Sequence, residues 1–415
     1  MIGNFIKLAI RHMIRQRSYI FINTVGLAIG LACSILITLF VLHEFNYDKF
    51  NEHKYEIYRM VIRGKIGATE LEAAWTCTPL GPTMVEELPE VLNTVRFDKW
   101  GETVIKYKDK IFVEDGFMLV DSTFFEIFSI PLIQGDPKNI LTAPRTLVLT
   151  KSTAEKIFGN EDPIGKLLKV GTDTIYYSIT GVMEDVPESA HFEFNMLGSF
   201  ITNERANDGF WISNSYDTYV LLTKDVDIEA LQEKINTMVI KYVGPQVEKL
   251  MGINLEQFAE AGNYYGYHLQ PLLDIHLDHR IDHQHKPSND KRYIYIFSVI
   301  AILILVIAGI NYMNLATARS AGRAKEVGIR KVVGSSRGLL IWQFLFESVF
   351  LTIISLIFAV LIVELILPKF NQIIQIQLSL NYLDNWYIIP GLLIPALRDP
   401  DSTATGRNEE RKKAG

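Results

Sequence analysis

The chain has 415 residues, 48% of them hydrophobic, a formal net charge of −6 at pH 7 and two cysteines. That charge gives no footing for nucleic acid as the main partner. The apolar residues fall in long runs, which excludes a chain soluble throughout. Cys33 lies in an apolar run and Cys77 in a polar region, so neither a disulfide nor a metal site is expected from them.

In chain order, residues 1–19 place Lys7, Arg11 and Arg15 four apart, with Phe5, Ile6, Ile10, Met13 and Ile14 elsewhere on the wheel. That suits a helix lying on the inner leaflet. The run "IFINTVGLAIGLACSILITLFVL", 20–42, has the roughly 20 apolar residues a span needs. It is too long for a signal-peptide core, and His43-Glu44-Phe45 follows where a small-residue cleavage site would stand, so it reads as a retained helix. Gly26, Gly30 and Ser34 are spaced four apart on one face, which permits close packing in a dimer or against another span.

Residues 44–292 mix strands and helices. "TLVLT" then "KSTAEKIFG" reads as strand then helix, "TIYYSITGVMEDV" as a strand, and "DIEALQEKINTMVIKYV" as a helix opened near Asp227 with a one-faced stripe at 228, 231, 235, 238 and 239. The segment "GNEDPIGKLL" fails as a phosphate loop: Gly159 and Gly165 are one residue too far apart, and Leu167 follows Lys166 where Ser or Thr would bind magnesium. In "DIHLDHRIDHQHKP", His276, His279, His283 and His285 are weak candidates for zinc or copper, because their spacing matches no rigid ligand pattern. The chain shows no nucleophile–base pair, nucleotide loop or acid pair. Neither enzymatic activity nor a cofactor is expected of it.

A second span is expected over 293–315 and a third over 339–367. Between them, residues 316–338 carry Arg319, Arg323, Lys325, Arg330, Lys331 and Arg337 against the single acid Glu326. Lys7, Arg11, Arg15 and Arg17 precede the first span. Lys and Arg mark the cytoplasmic side, so both basic segments belong there and 44–292 belongs outside. The expected fold class is an α+β membrane protein, helical transmembrane spans flanking a large mixed α/β extracytoplasmic domain.

As a helix, 319–330 sets Arg319, Arg323, Glu326 and Arg330 within an arc of roughly 60°. It reads either as a solvated loop that only sets orientation or as a short surface helix that docks a partner, ended by Gly334-Ser335-Ser336. Glu347 in the third span is costly in lipid unless it pairs with an Arg of the basic segment or snorkels to the interface. "NWYIIPGLLIPAL", 385–397, stops after about a dozen apolar residues, too few to span. The segment 368–397 is therefore read as extracytoplasmic with an incomplete fourth span, and 398–415 as a disordered tail.

"RAKEVGIRKVVGSSRGLLIWQFLFES", "VDSTFFEIFSIPLIQGDP", "VLTKSTAEKIFGNEDPIGK", "ITGVMEDVPESAHF" and "FIKLAIRHMIRQRSYIFINTVGLAIG" carry a resemblance. Over residues 1–395 the chain resembles permease subunits of ABC transporters of the MacB/FtsX type, and "YDKFNEHKYEIYR" is similar to a branch common in Bacteroidetes-type bacteria. The resemblance implies a bacterial inner-membrane protein with a cytoplasmic N-terminus and a MacB-like periplasmic core domain. It implies a separate cytoplasmic ABC ATPase docking at Arg319, Arg323, Lys325, Glu326, Arg330 and Lys331, and a second permease copy or half. A periplasmic adaptor and an outer-membrane channel are further implied partners, with export or mechanotransmission as the task. The family carries a fourth span, so this chain is expected to be a truncated form. A membrane-anchored extracytoplasmic sensor without an ATPase is the alternative; it leaves the basic segment unexplained.

Overall fold

The computed structural model describes residues 17–171, 175–332 and 337–380. Most of the expected N-terminal surface helix, the Gly334-Ser335-Ser336 break, the incomplete fourth span and the tail lie outside the described residues. The chain forms two compact units, residues 46–291 and the helical remainder.

The elements run α1 Arg17–Phe45, β1 Ile57–Ile66, β2 Thr69–Ala73, β3 Thr76–Cys77, α2 Leu80–Glu87, β4 Val91–Tyr107 and β5 Lys110–Val120. Next come α3 Phe124–Ile127, β6 Leu132–Gln134, β7 Thr146–Thr150, α4 Lys151–Phe158, β8 Leu167–Val170, β9 Tyr176–Met183 and β10 Met196–Ser199. The chain continues with β11 Asn214–Leu222, α5 Ile228–Met251, α6 Leu255–Glu260, β12 Tyr264–Pro271, α7 Lys291–Val332 and α8 Arg337–Ile374.

Residues 46–291 build one mixed 12-stranded sheet in the order β12-β1-β11-β4-β5-β10-β7-β9-β6, with β2 on β1, β3 on β11, and β8 bridging β4 and β9. The strand "TLVLT" is β7, buried at all five positions, and "KSTAEKIF" is α4. Asp227 caps α5 by accepting from the Ala230 amide at 3.1 Å, a local bond worth about 1 kcal/mol. Leu231, Ile235, Met238 and Val239 then bury one stripe of that helix. Gly252 ends it with φ 71°, a left-handed turn that only glycine adopts at no steric cost. A second buried anchor is Arg96, whose guanidinium clasps Asp121 in two bonds of 2.8 and 2.9 Å and donates to the carbonyls of Thr78 and Ala206.

β12 closes one end of the sheet. Its outer edge meets Gln232 of α5, whose amide donates to the Tyr267 carbonyl at 2.7 Å and accepts from the Leu269 N–H at 3.3 Å. One side chain thereby takes the place of a strand's peptide group.

Among the described residues of the helical unit, three segments are long and apolar enough to cross a membrane: Ile20–Phe45, Lys291–Leu315 and Leu345–Ile374. α1 packs on α8 through Leu27, Leu31, Ile35 and Leu39 against Leu356, Ala359, Val363 and Leu367. The i, i+4 spacing of the α1 residues sets them on one face. α7 differs from the expectation of a span followed by a loop or a separate surface helix. It is one unbroken helix of 42 residues, about 63 Å long at 1.5 Å per residue. Nothing forces a break where lipid gives way to water, because a helix satisfies its own backbone in both. α8 likewise runs past the expected end of the third span, through Pro368 to Ile374. Asn371 then closes the exit by donating to the Leu378 carbonyl and accepting from its amide.

Candidate functional site

The basic segment is the last part of α7. With the backbone helical through Val332, the register sets Arg319, Arg323, Glu326 and Arg330 along one face, and Lys325 and Lys331 off it. Ile329 and Val332, 60% and 88% exposed, add apolar surface to the same helix end.

On α1, an ideal Cβ at Gly30 would stand 2.6 Å from the Ala308 Cβ of α7, well inside van der Waals distance. One turn away, the Ser34 hydroxyl donates to the Ala301 carbonyl at 3.2 Å. At Gly26 the nearest α7 atom is the Asn311 amide nitrogen at 3.6 Å, an ordinary separation. Of these two glycines, it is Gly30 where a larger residue has no room. Glu347 is buried in α8, and the Tyr312 hydroxyl reaches the next carbonyl, Ser348, at 3.4 Å.

The four histidines share no site. His276 stacks on Tyr47 at 3.4 Å, and His283 on Trp75 at 3.5 Å. His279 lies 3.6 Å from Asp290, and His285 Nε2 lies 2.5 Å from an Asp217 oxygen. Among the described residues no three His, Cys, Asp or Glu side chains gather as a metal set.

The sequence reading missed a polar cluster inside the domain. Asp48, three residues past α1, is fully buried with φ 59°. Its amide donates to the Ser189 carbonyl at 2.7 Å, and its carboxylate accepts from the His191 amide and lies 2.8 Å from His191 Nδ1. A carboxylate only accepts, so Nδ1 carries the proton and Nε2 accepts from the Tyr219 hydroxyl at 2.7 Å. Burial pulls the His191 imidazole below its usual range against the opposing pull of Asp48, and pushes the Tyr219 phenol well above its own. Arg59, also fully buried, holds the Gln270 amide oxygen with two donors.

The other end of the domain reaches the same loop. Lys286, five residues before α7, donates to the Glu188 carbonyl at 3.2 Å. Loop 187–191 therefore holds both the segment that leaves α1 and the segment that enters α7. The sequence offered little signal for it beyond Asp48 and Lys49 standing a few residues after an apolar run.

Three apolar helices, with a folded α+β domain inserted between the first and second, define a membrane protein built around an extramembrane domain. Residues 20–238 match the family model described as the MacB-like periplasmic core domain, and 298–397 match the FtsX-like permease C-terminal model. The chain belongs to this family and is an ABC transporter permease of the MacB/FtsX type, membrane-bound and with a periplasmic domain.

Among its relatives is the macrolide export ATP-binding/permease protein MacB of Chromobacterium violaceum, 23% identical over 57% of this chain and 33% of that protein. Another is the uncharacterized ABC transporter permease YknZ of Bacillus subtilis, 24% identical over 59% of this chain and 53% of that protein. The chain thus spans a third to a half of the length of these relatives. A domain of a permease from Porphyromonas gingivalis covers 59% of this chain and 98% of its own, at 22% identity and a TM-score of 0.47.

Proposed function

We propose that this chain is the non-catalytic half of a two-part machine, in which a separate cytoplasmic ABC ATPase drives shape change in the periplasmic domain. The ATPase docks at the end of α7 through Arg319, Arg323, Glu326 and Arg330, with Lys325 and Lys331 beside them. The chain lies in the inner membrane with its N-terminus in the cytoplasm, since the basic segments before α1 and at the end of α7 both favour that side. A second permease copy or half completes the assembly, and the output is export or mechanotransmission.

The observation that supports this reading is the continuity of α7 from Lys291, the last residue of the domain, to Val332. A helix without a break transmits displacement at one end to the other. α7 therefore acts as a lever, and loop 187–191 is where its domain end and the α1 exit both bear on the fold.

The test is co-purification of the full chain with its ATPase. Arg323→Glu with Arg330→Glu is expected to weaken recovery at least about ten-fold, as like charges are set against a complementary surface, while leaving membrane insertion intact. Undiminished ATPase recovery with that pair reversed would sink the docking assignment.

A further inference from the structure

We propose that the outer face of β4, β5, β8 and β9 is a docking surface for a partner protein that presents an acidic side chain among apolar ones. The register defines this face. Ile111 of β5 pairs with Lys106 of β4, Lys106 with Lys169 of β8, and Lys169 with Tyr176 of β9. The next rows add Val113 opposite Val104, and Leu167 opposite Ser178. Side chains alternate along a strand, so Ile105, Leu168, Val170 and Tyr177 point the other way, where they are buried in the core.

An outer sheet face is ordinarily polar. This one exposes Ile111 by 63%, Val113 by 54%, Leu167 by 56% and Tyr176 by 53%. Four strands at about 4.8 Å spacing make the row about 15 Å wide. In its middle stand Lys106 and Lys169, directly opposite one another. Like charges in that position destabilise a sheet. Among the described residues neither has an ion-pair partner, although nearby lysines do: Lys108 and Lys166 share Glu161, and Lys156 pairs with Glu114. The arrangement is unfavourable alone and becomes favourable when a carboxylate arrives between the two ammonium groups with apolar groups around it.

The occupant follows from the charge. A second copy placed by a twofold axis through this face would bring the two lysines against their own equivalents. An anionic bilayer would meet the exposed acids Glu102, on the same strand, and Asp109, in the turn that ends it. A protein can place its negative charge at one point and apolar groups beside it, which is the pattern the face complements. The proposal depends on residues 46–291 folding as seen and is independent of the ATPase docking at α7.

The test uses the full chain in nanodiscs and a fluorescent peptide of alternating leucine and glutamate, followed by anisotropy. Saturable binding is expected, weakened at least about ten-fold by Lys106→Glu with Lys169→Glu, and unchanged by Lys138→Glu, an exposed control off this face. Ile111→Ser with Tyr176→Ser, which keeps both lysines, is expected to weaken it as well. The leucine–lysine analogue is expected to bind at least about ten-fold more weakly. Equal binding of the two peptides, retention by either double variant, or no saturation with the acidic peptide overturns the proposal. Displacement of the acidic peptide by anionic vesicles would assign the face to lipid and also overturn it.

Discussion

α1 and α7 join the two ends of one domain to the membrane, yet they are held differently. In the most apolar window of α1, 44% of residues are buried, against 17% in α7. α1 lies along α8 over a continuous stripe, whereas α7 meets α1 closely at Gly30 and Ser34 and leaves Ile302, Leu303, Val306, Ile307 and Ile310 uncovered. The difference is one of cover, and it suits the proposed lever: α1 with α8 would serve as the frame and α7 as the part that moves. At loop 187–191 the two domain ends are held unequally, although the α7 end is also tied elsewhere, by His285 to Asp217 and Lys291 to Asp274. Asp48 is locked in a buried chain with His191 and Tyr219, while Lys286 touches the same loop by one carbonyl.

Four changes break or sharpen this contrast. The largest effect is expected from Met313→Pro, which removes a backbone bond within α7 and costs about 3 kcal/mol of helix. It should leave the ATPase bound but abolish any response of the periplasmic domain to ATP, read as nucleotide-dependent hydrogen exchange in residues 46–291; a response of unchanged size would show that α7 need not be stiff.

Gly30→Leu comes next. Its side chain has no room against Ala308, and overpacking of this kind costs about 1–3 kcal/mol. A disulfide engineered from Ser34→Cys and Ala301→Cys should form readily in the parent and poorly with Leu at residue 30. Equal yields would place α7 elsewhere.

The third change is in pH and acts on the α1 end alone. His191 binds its proton less readily in the fold than in the unfolded chain, whose imidazole has a pKa near 6.5. Stability from this residue is therefore intact above about pH 6.5 and is lost as pH falls below it, by at most about 1.4 kcal/mol per pH unit. His191→Gln should flatten part of that slope in thermal melts between pH 5 and 7 and leave the remainder to His268, which burial also lowers. An unaltered slope would remove His191 from the account. The smallest effect is expected from Gly26→Ala, a few tenths of a kcal/mol at most, since 3.6 Å to Asn311 already accommodates a methyl group; a large drop in melting temperature there would contradict the close approach being centred on Gly30.

What the sequence revealed follows from how local each cause is. The spans needed only a length of apolar residues, and β7, α4 and the start of α5 needed only their own propensities and a cap at Asp227. The length of α7 was hidden because its apolar half and its basic half have different solvents, and a pattern built on solvent reads them as two elements. The histidines, only weak metal candidates in the sequence, have roles that were hidden for the opposite reason. They are neighbours in sequence, but their partners Tyr47, Trp75, Asp217 and Asp290 come from four separate places. Only the fold joins Asp48 to His191, 143 residues away, and no spacing rule could have paired them.

Gln232 has a consequence for life in a membrane. Anchored domains diffuse in two dimensions, so neighbouring copies meet at a high effective concentration and in a shared orientation. An uncovered border strand under those conditions is a template on which the next copy can zip, chain after chain. By occupying Tyr267 O and Leu269 N with a single amide, α5 interrupts that border at its middle without spending another strand on it. The domain can then crowd beside its own kind and still let go.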